Sequence, residues 1–180
     1  MKKIYRDKAL NALINELNDK DFDFRENALF QIGLLLERSN KGDALANVPD
    51  IYSDNLSRDL LRLSLSNKEQ NRIIDSLSRL IATEKESRPT AFWSFGKAKA
   101  ELAFMPLVAL IQATGSQLNN EAAYQACDTL RRWLEEGLAD DEDRAKQLKS
   151  QDPTPILQRW LESSDERLVE SAELVLDMLD

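Results

Sequence analysis

The feature that most constrains this chain is a spacing that recurs. Four amphipathic stretches carry apolar or small residues four apart: Phe24/Ala28/Ile32, Ile73/Leu77/Ile81, Ala122/Ala126/Leu130 and Leu168/Ala172/Leu176. Residues four apart stand one above the other on a single face of an α-helix. The middle members lie at 28, 77, 126 and 172, separated by 49, 49 and 46 residues. A second set of apolar anchors precedes them, at Leu10, Leu60, Leu107 and Ile156, separated by 50, 47 and 49. The offset from each anchor to the triplet that follows is 18, 17, 19 and 16 residues, which suits one helix, a tight turn and a return helix. A hairpin of this size cannot bury its apolar face alone and does so by stacking on its neighbours. The chain therefore reads as all-α, a single domain over 1–180 built of about four helical-hairpin units. The units fall near 1–40, 50–85, 100–137 and 150–180, wound as a right-handed solenoid.

Local signals agree with few, long elements, since the chain holds only 5 Gly and 5 Pro. Pro106 and Pro155 each stand just before the anchor of their unit. A proline inside a helix costs about 3 kcal/mol, whereas in the first turn it costs almost nothing. Pro106 is accordingly expected to open a helix, dividing "AELAFMPLVALIQATG" into a helix end and a helix start. Gly115 and Gly137 are expected to end helices. Ser66 with Glu69 has the form of a capping box, and Asp165 that of an N-cap. The stretches between units, roughly 39–55, 85–103 and 137–152, are longer. The second has room for a short helix after Pro89 and the third for another.

The side chains exclude much chemistry. There is no histidine, which removes the commonest general base, the Ser-His-Asp and Cys-His arrangements and most zinc sites. Cys127 lies between apolar neighbours in a helix and reads as a small core residue. The acidic run "ADDEDR" lacks the alternating ligands and glycine of a calcium loop. "DKDFDF" reads as a turn and cap. "FGKAK" has no phosphate-loop spacing before it, and in "RRW" Trp133 reads as core beside solvated arginines. No enzymatic activity, cofactor or metal is expected. Net charge is −8, which disfavours a protein whose task is gripping nucleic-acid phosphate. No apolar run long enough to span a membrane appears, and the start of the chain does not have the form of a signal peptide. A single cysteine suits the cytoplasm.

Partner contacts are expected where the units join. "AFWSF" places Phe92, Trp93 and Phe95 together between units, with Tyr52 on the preceding connection. Such rings either pack under the neighbouring unit or stand exposed as interface anchors. Insertions between repeats often map to a binding face, so all four are taken as partner-binding residues. Asp140, Asp141, Glu142 and Asp143 are taken as the charge complement for a basic protein or peptide. Tyr124 and Trp160 read as core or half-buried. Apolar Leu176, Met178 and Leu179 leave open a homodimer through the last helix.

The return helices, above all "FRENALFQIG" and "ERLVESAELVLDML", resemble the second-row helices of HEAT and armadillo repeats. Arg25, Ala28 and Ile32, and more loosely Arg167, Ala172 and Leu176, fit that family's charged, small and apolar positions. Leu77 departs where alanine is usual, and the third unit lacks the early arginine. A short third helix in each unit would be armadillo-like, its absence HEAT-like. The resemblance implies a non-catalytic binding scaffold. Members that look like bilin lyases or ligand chaperones, and a distant group acting on alkylated DNA, are alternatives that the resemblance implies, the last disfavoured by charge. The chain's acidity separately suits an inhibitor or immunity protein for a basic target.

Overall fold

The computed structural model describes the backbone of residues 3–41 and 64–179 and the side chains of 8–40 and 64–179. Regular elements among the described residues are helical: α1 (Lys3–Glu16), α2 (Phe22–Lys41), α3 (Asn67–Thr83), α4 (Arg88–Phe95), α5 (Ala100–Thr114), α6 (Asn120–Glu135), α7 (Glu142–Gln151), α8 (Thr154–Trp160) and α9 (Glu166–Leu179), with a 3-10 turn over Gly115–Gln117. They pack as a ladder. The rungs are the sequential pairs α1/α2, α3/α4, α5/α6 and α8/α9. One rail runs α2–α4–α6–α9 and the other α3–α5–α7.

Helices within a rail run parallel, as the register of their side chains shows. Arg25 meets Ser87, Glu26 meets Thr90, the Leu29 carbonyl meets Ser94 and Glu37 meets Lys97, so α2 and α4 climb together. Gln70, at the start of α3, accepts from the Lys99 N–H at the start of α5. Arg167, at the start of α9, reaches Glu121 at the start of α6. Hairpins stacked with like helices parallel give an all-α, solenoid-like fold with one continuous apolar core.

The triplets Ile73/Leu77/Ile81 and Ala122/Ala126/Leu130 are fully buried. In α2 the phase differs from the expectation: Phe24 is 62% exposed, and Arg25, Ala28, Leu29 and Ile32 face inward instead. Asp21 accepts from the N–H groups of Asp23 and Phe24, which fixes where the helix begins, while the buried Ala28, Leu29, Ile32, Leu35 and Leu36 set which face turns in. The buried Arg25 donates to Ser87 Oγ and to the Asp19 carbonyl, each at 2.8 Å.

The second unit also departs from the spacing. α3 carries a triplet like those of the return helices, yet it lies in the rail with α5, and α4 holds the return position between α2 and α6. The anchor Leu60 and the start of the 50–85 unit lie outside the described residues. The described hairpin runs from Asn67 to Phe95. Buried Arg88 pins this arrangement. Its Nε donates to the Ile81 carbonyl at 2.7 Å, and its other nitrogens reach the carbonyls of Ala82 and Gln117, both at 3.4 Å. It thus closes the end of α3 and ties it to the turn after α5.

Pro106 does not open a helix: α5 runs unbroken through it. The Leu102 carbonyl forgoes its partner there, at a cost of about 3 kcal/mol. The same helix buries Phe104, Leu107, Val108 and Ile111 completely, and each such side chain returns roughly 1.5–3 kcal/mol. Burial of the central helix therefore outweighs the break. Pro155 and Pro89 do sit in the first turns of α8 and α4. The connection 137–152 holds α7. Ser66 and Glu69 form the capping box, and Asp165 accepts from the Arg167 N–H. Gly137, at φ +79°, ends α6. Its N–H bonds the Leu134 carbonyl and that of Leu138 bonds Trp133, a Schellman motif that needs the left-handed residue. Gly115 stays right-handed and leads into the 3-10 turn.

Candidate functional site

α4 decides which aromatic side chains are offered to solvent. Packed between α2 and α6, it must turn most of its eight residues inward. Phe92 and Phe95 are 0% exposed and belong to the core, which corrects their assignment as partner contacts. Two rings of this size are too costly to leave wet when a neighbouring helix covers them. Trp93 packs against α2 instead and is half-buried. Its ring stacks on Phe30 of α2, with centroids 5.3 Å apart and planes 10° from parallel. It lies across Gly33, where an added Cβ would come 2.3 Å from Trp93 Cζ3. The Lys97 ammonium stands 5.2 Å above the ring and pairs with Glu37 at 3.3 Å. Tyr52 lies outside the described residues.

Asp140, Asp141, Glu142 and Asp143 are exposed in the turn from α6 into α7. Asp141 is the N-cap of α7, accepting from the Arg144 N–H at 3.0 Å. That hydrogen bond, with the nearby Arg144 charge, holds its carboxyl below the usual range. Glu142 and Asp143 fill the first helical turn, where the dipole favours them. The run has a local structural role and still faces solvent.

A cleft of about 510 Å³ opens where the turn from α4 into α5 faces the end of α6. Lys97, Lys99 and Glu101 line one side, Arg132, Glu136 and Leu138 the other, and buried Trp133 and Ala98 contribute to its apolar surface. The cleft thus lies between the Trp93–Lys97 corner and the turn that continues into Asp140. Sequence reasoning saw "FGKAK" only as a failed phosphate loop, and missed Phe30, Gly33 and Glu37. Their only linear signal was a glycine inside an apolar helix, a mark of close packing.

The remaining candidates are structural. Burial pushes the Cys127 thiol up to about 12, so it stays protonated and unreactive near neutrality. Trp133 is core, while Arg131 and Arg132 pair with Asp128, and Arg131 also with Glu135. Trp160 is buried and donates to the Gly115 carbonyl at 3.3 Å. Half-buried Tyr124 lies 4.6 Å from the Arg167 guanidinium. On α9, Leu174 and Met178 are 43% and 38% exposed, and Met178 and Leu179 line a smaller pocket of about 220 Å³ against α7 and α8. Among the described residues no helix is long and apolar enough to cross a membrane. Nor do they hold a group of three or more His, Cys, Asp or Glu that could hold a metal ion.

These features define an all-α helical-repeat protein with a half-buried tryptophan packed between α4 and α2 on one rail. The chain is similar to a designed armadillo repeat protein, at 17% identity and a TM-score of 0.45, covering 99% of this chain and 85% of that one. It is also similar to an engineered protein solved by crystallography, at 12% identity and a TM-score of 0.33, covering 95% and 96%. No protein-family model matches the chain, and no curated protein matches it.

Proposed function

We propose that this protein is a non-catalytic scaffold that binds a protein or peptide partner along the outer surface of the α2–α4–α6–α9 rail. The observation that carries this reading is Trp93, a large half-buried ring stacked on Phe30 and in cation–π contact with Lys97. A tryptophan held rigid and half-buried loses little entropy on docking, which is the usual character of an interface anchor. The exposed acids Asp140, Asp141, Glu142 and Asp143 and a net charge of −8 favour a basic partner. A reducing compartment such as the cytoplasm suits the single, buried cysteine. Self-association through α9 is not part of the proposal. An isologous contact through this face would set the exposed Glu166, Glu170, Glu173 and Asp177 of one copy against the same acidic row of the other.

Affinity capture of the tagged protein from its own cell extract, at low and high salt, tests the reading when Trp93→Ala is run beside the wild type. Loss of an anchor tryptophan is worth about 2 kcal/mol or more, roughly 30-fold in affinity. The expected result is a partner retained by the wild type and lost by a variant of unchanged helicity. A partner held equally by both would remove Trp93 from the proposal.

A further inference from the structure

The 510 Å³ cleft between the α4–α5 turn and the end of α6 has a chemistry of its own. Six charged side chains line it, three of each sign: Lys97, Lys99 and Arg132 against Glu37, Glu101 and Glu136. Two of the cations are already neutralised in place. Lys97 is paired with Glu37 at 3.3 Å and lies on Trp93, and Arg132 shares Asp128 with Arg131, whose charge Glu135 also meets. Once these are set aside, the cleft presents Glu101, Glu136 and Lys99, none of which enters an ion pair among the described residues. Both carboxylates are exposed, so their charge is open to a ligand, and Lys99 is half-buried. Beneath them lie Ala98, Trp133 and Leu138, all buried and apolar.

We infer that this cleft is a pocket for a single lysine or arginine side chain of the bound partner. The apolar floor takes the methylene stem and the Glu101 and Glu136 carboxylates take the cation. A long basic side chain has that two-part character, with an apolar stem and a charged head kept near water. An acidic side chain would meet two carboxylates and one available ammonium. The inference rests on the protein-binding reading and names the chemistry of one contact within it. Exposed acids at Asp140 to Asp143, on the same turn as Glu136 and Leu138, extend the negative field toward the cleft and favour the same sign of ligand.

Labelled nonapeptides of arginine and of glutamate are the probes, titrated against the whole chain at about 0.1 M salt. Each exposed ion pair is worth about 0.2–1 kcal/mol, or up to about fivefold in affinity. Glu101→Gln with Glu136→Gln should therefore weaken the arginine peptide by roughly tenfold. Glu170→Gln with Glu173→Gln removes the same charge from the exposed face of α9, and should change binding less than twofold. Lys99→Glu should tighten it. Equal losses in the two double variants would mean diffuse attraction to an acidic protein and would overturn the pocket, as would preference for the glutamate peptide. Failure here is separable from failure of the scaffold reading. A cellular partner lost by Trp93→Ala but held by Glu101→Gln/Glu136→Gln leaves the scaffold standing and removes the cleft.

Discussion

Gly33→Ala is the sharpest test of how Trp93 is held. In the middle of a helix, alanine is favoured over glycine by about 1 kcal/mol, so the substitution taken alone should stabilise α2. The packing predicts the opposite. The new Cβ would stand 2.3 Å from Trp93 Cζ3, 3.0 Å from Cε3 and 3.1 Å from Ser94 Oγ. Neither neighbour yields freely. Ser94 is bonded to the Leu29 carbonyl at 2.7 Å, and the indole is stacked on Phe30 and in contact with Lys97. Overpacking costs about 1–3 kcal/mol, and displacing the ring gives up about 0.5–1.5 kcal/mol of stacking. The net expectation is a loss of roughly 1–3 kcal/mol after the helix gain is counted. Urea unfolding followed by far-ultraviolet circular dichroism measures it. In a Trp93→Ala background the clashing ring is gone, and the same substitution should become neutral or stabilising by up to about 1 kcal/mol. A stabilised Gly33→Ala single variant, or an equal cost in both backgrounds, would refute the account of this corner.

Two further expectations follow from the core. Pro106→Ala restores the N–H that the Leu102 carbonyl lacks, and should raise stability by up to about 3 kcal/mol, seen as a higher melting temperature. An unchanged or lower value would mean that the ring packs well enough to offset the missing bond. Cys127, whose thiol rises from 9.0 to about 12 through burial, should react with a thiol reagent only after unfolding. Because the unfolded chain ionises first, it is favoured as pH climbs from about 9 toward 12, so stability should fall over that window and be flat below it. Cys127→Ala should remove the thiol's share of that fall, making the decline from about pH 9 shallower than in the wild type.

The fold was legible in the sequence because it rests on periodicity. Residues four apart mark a helical face wherever the helix lies, so the all-α class, the capping box at Ser66 and the stop at Gly137 could all be read in one dimension, whereas the period near 49 set Ile73/Leu77/Ile81 among the return helices and the packing puts that triplet in the other rail. Other features depended on what packs against what. Whether Pro106 is tolerated inside α5 is decided by the apolar area that helix buries between its neighbours. Whether Phe92, Trp93 or Phe95 reaches solvent is decided by α4 taking the place between α2 and α6, and three rings within four residues look alike until that place is known. The cleft joins residues from 37 to 138 that share no linear pattern. A helix reveals its own apolar face in its sequence, but which neighbour covers that face, and which ring is left outside, is a property of the assembled rails.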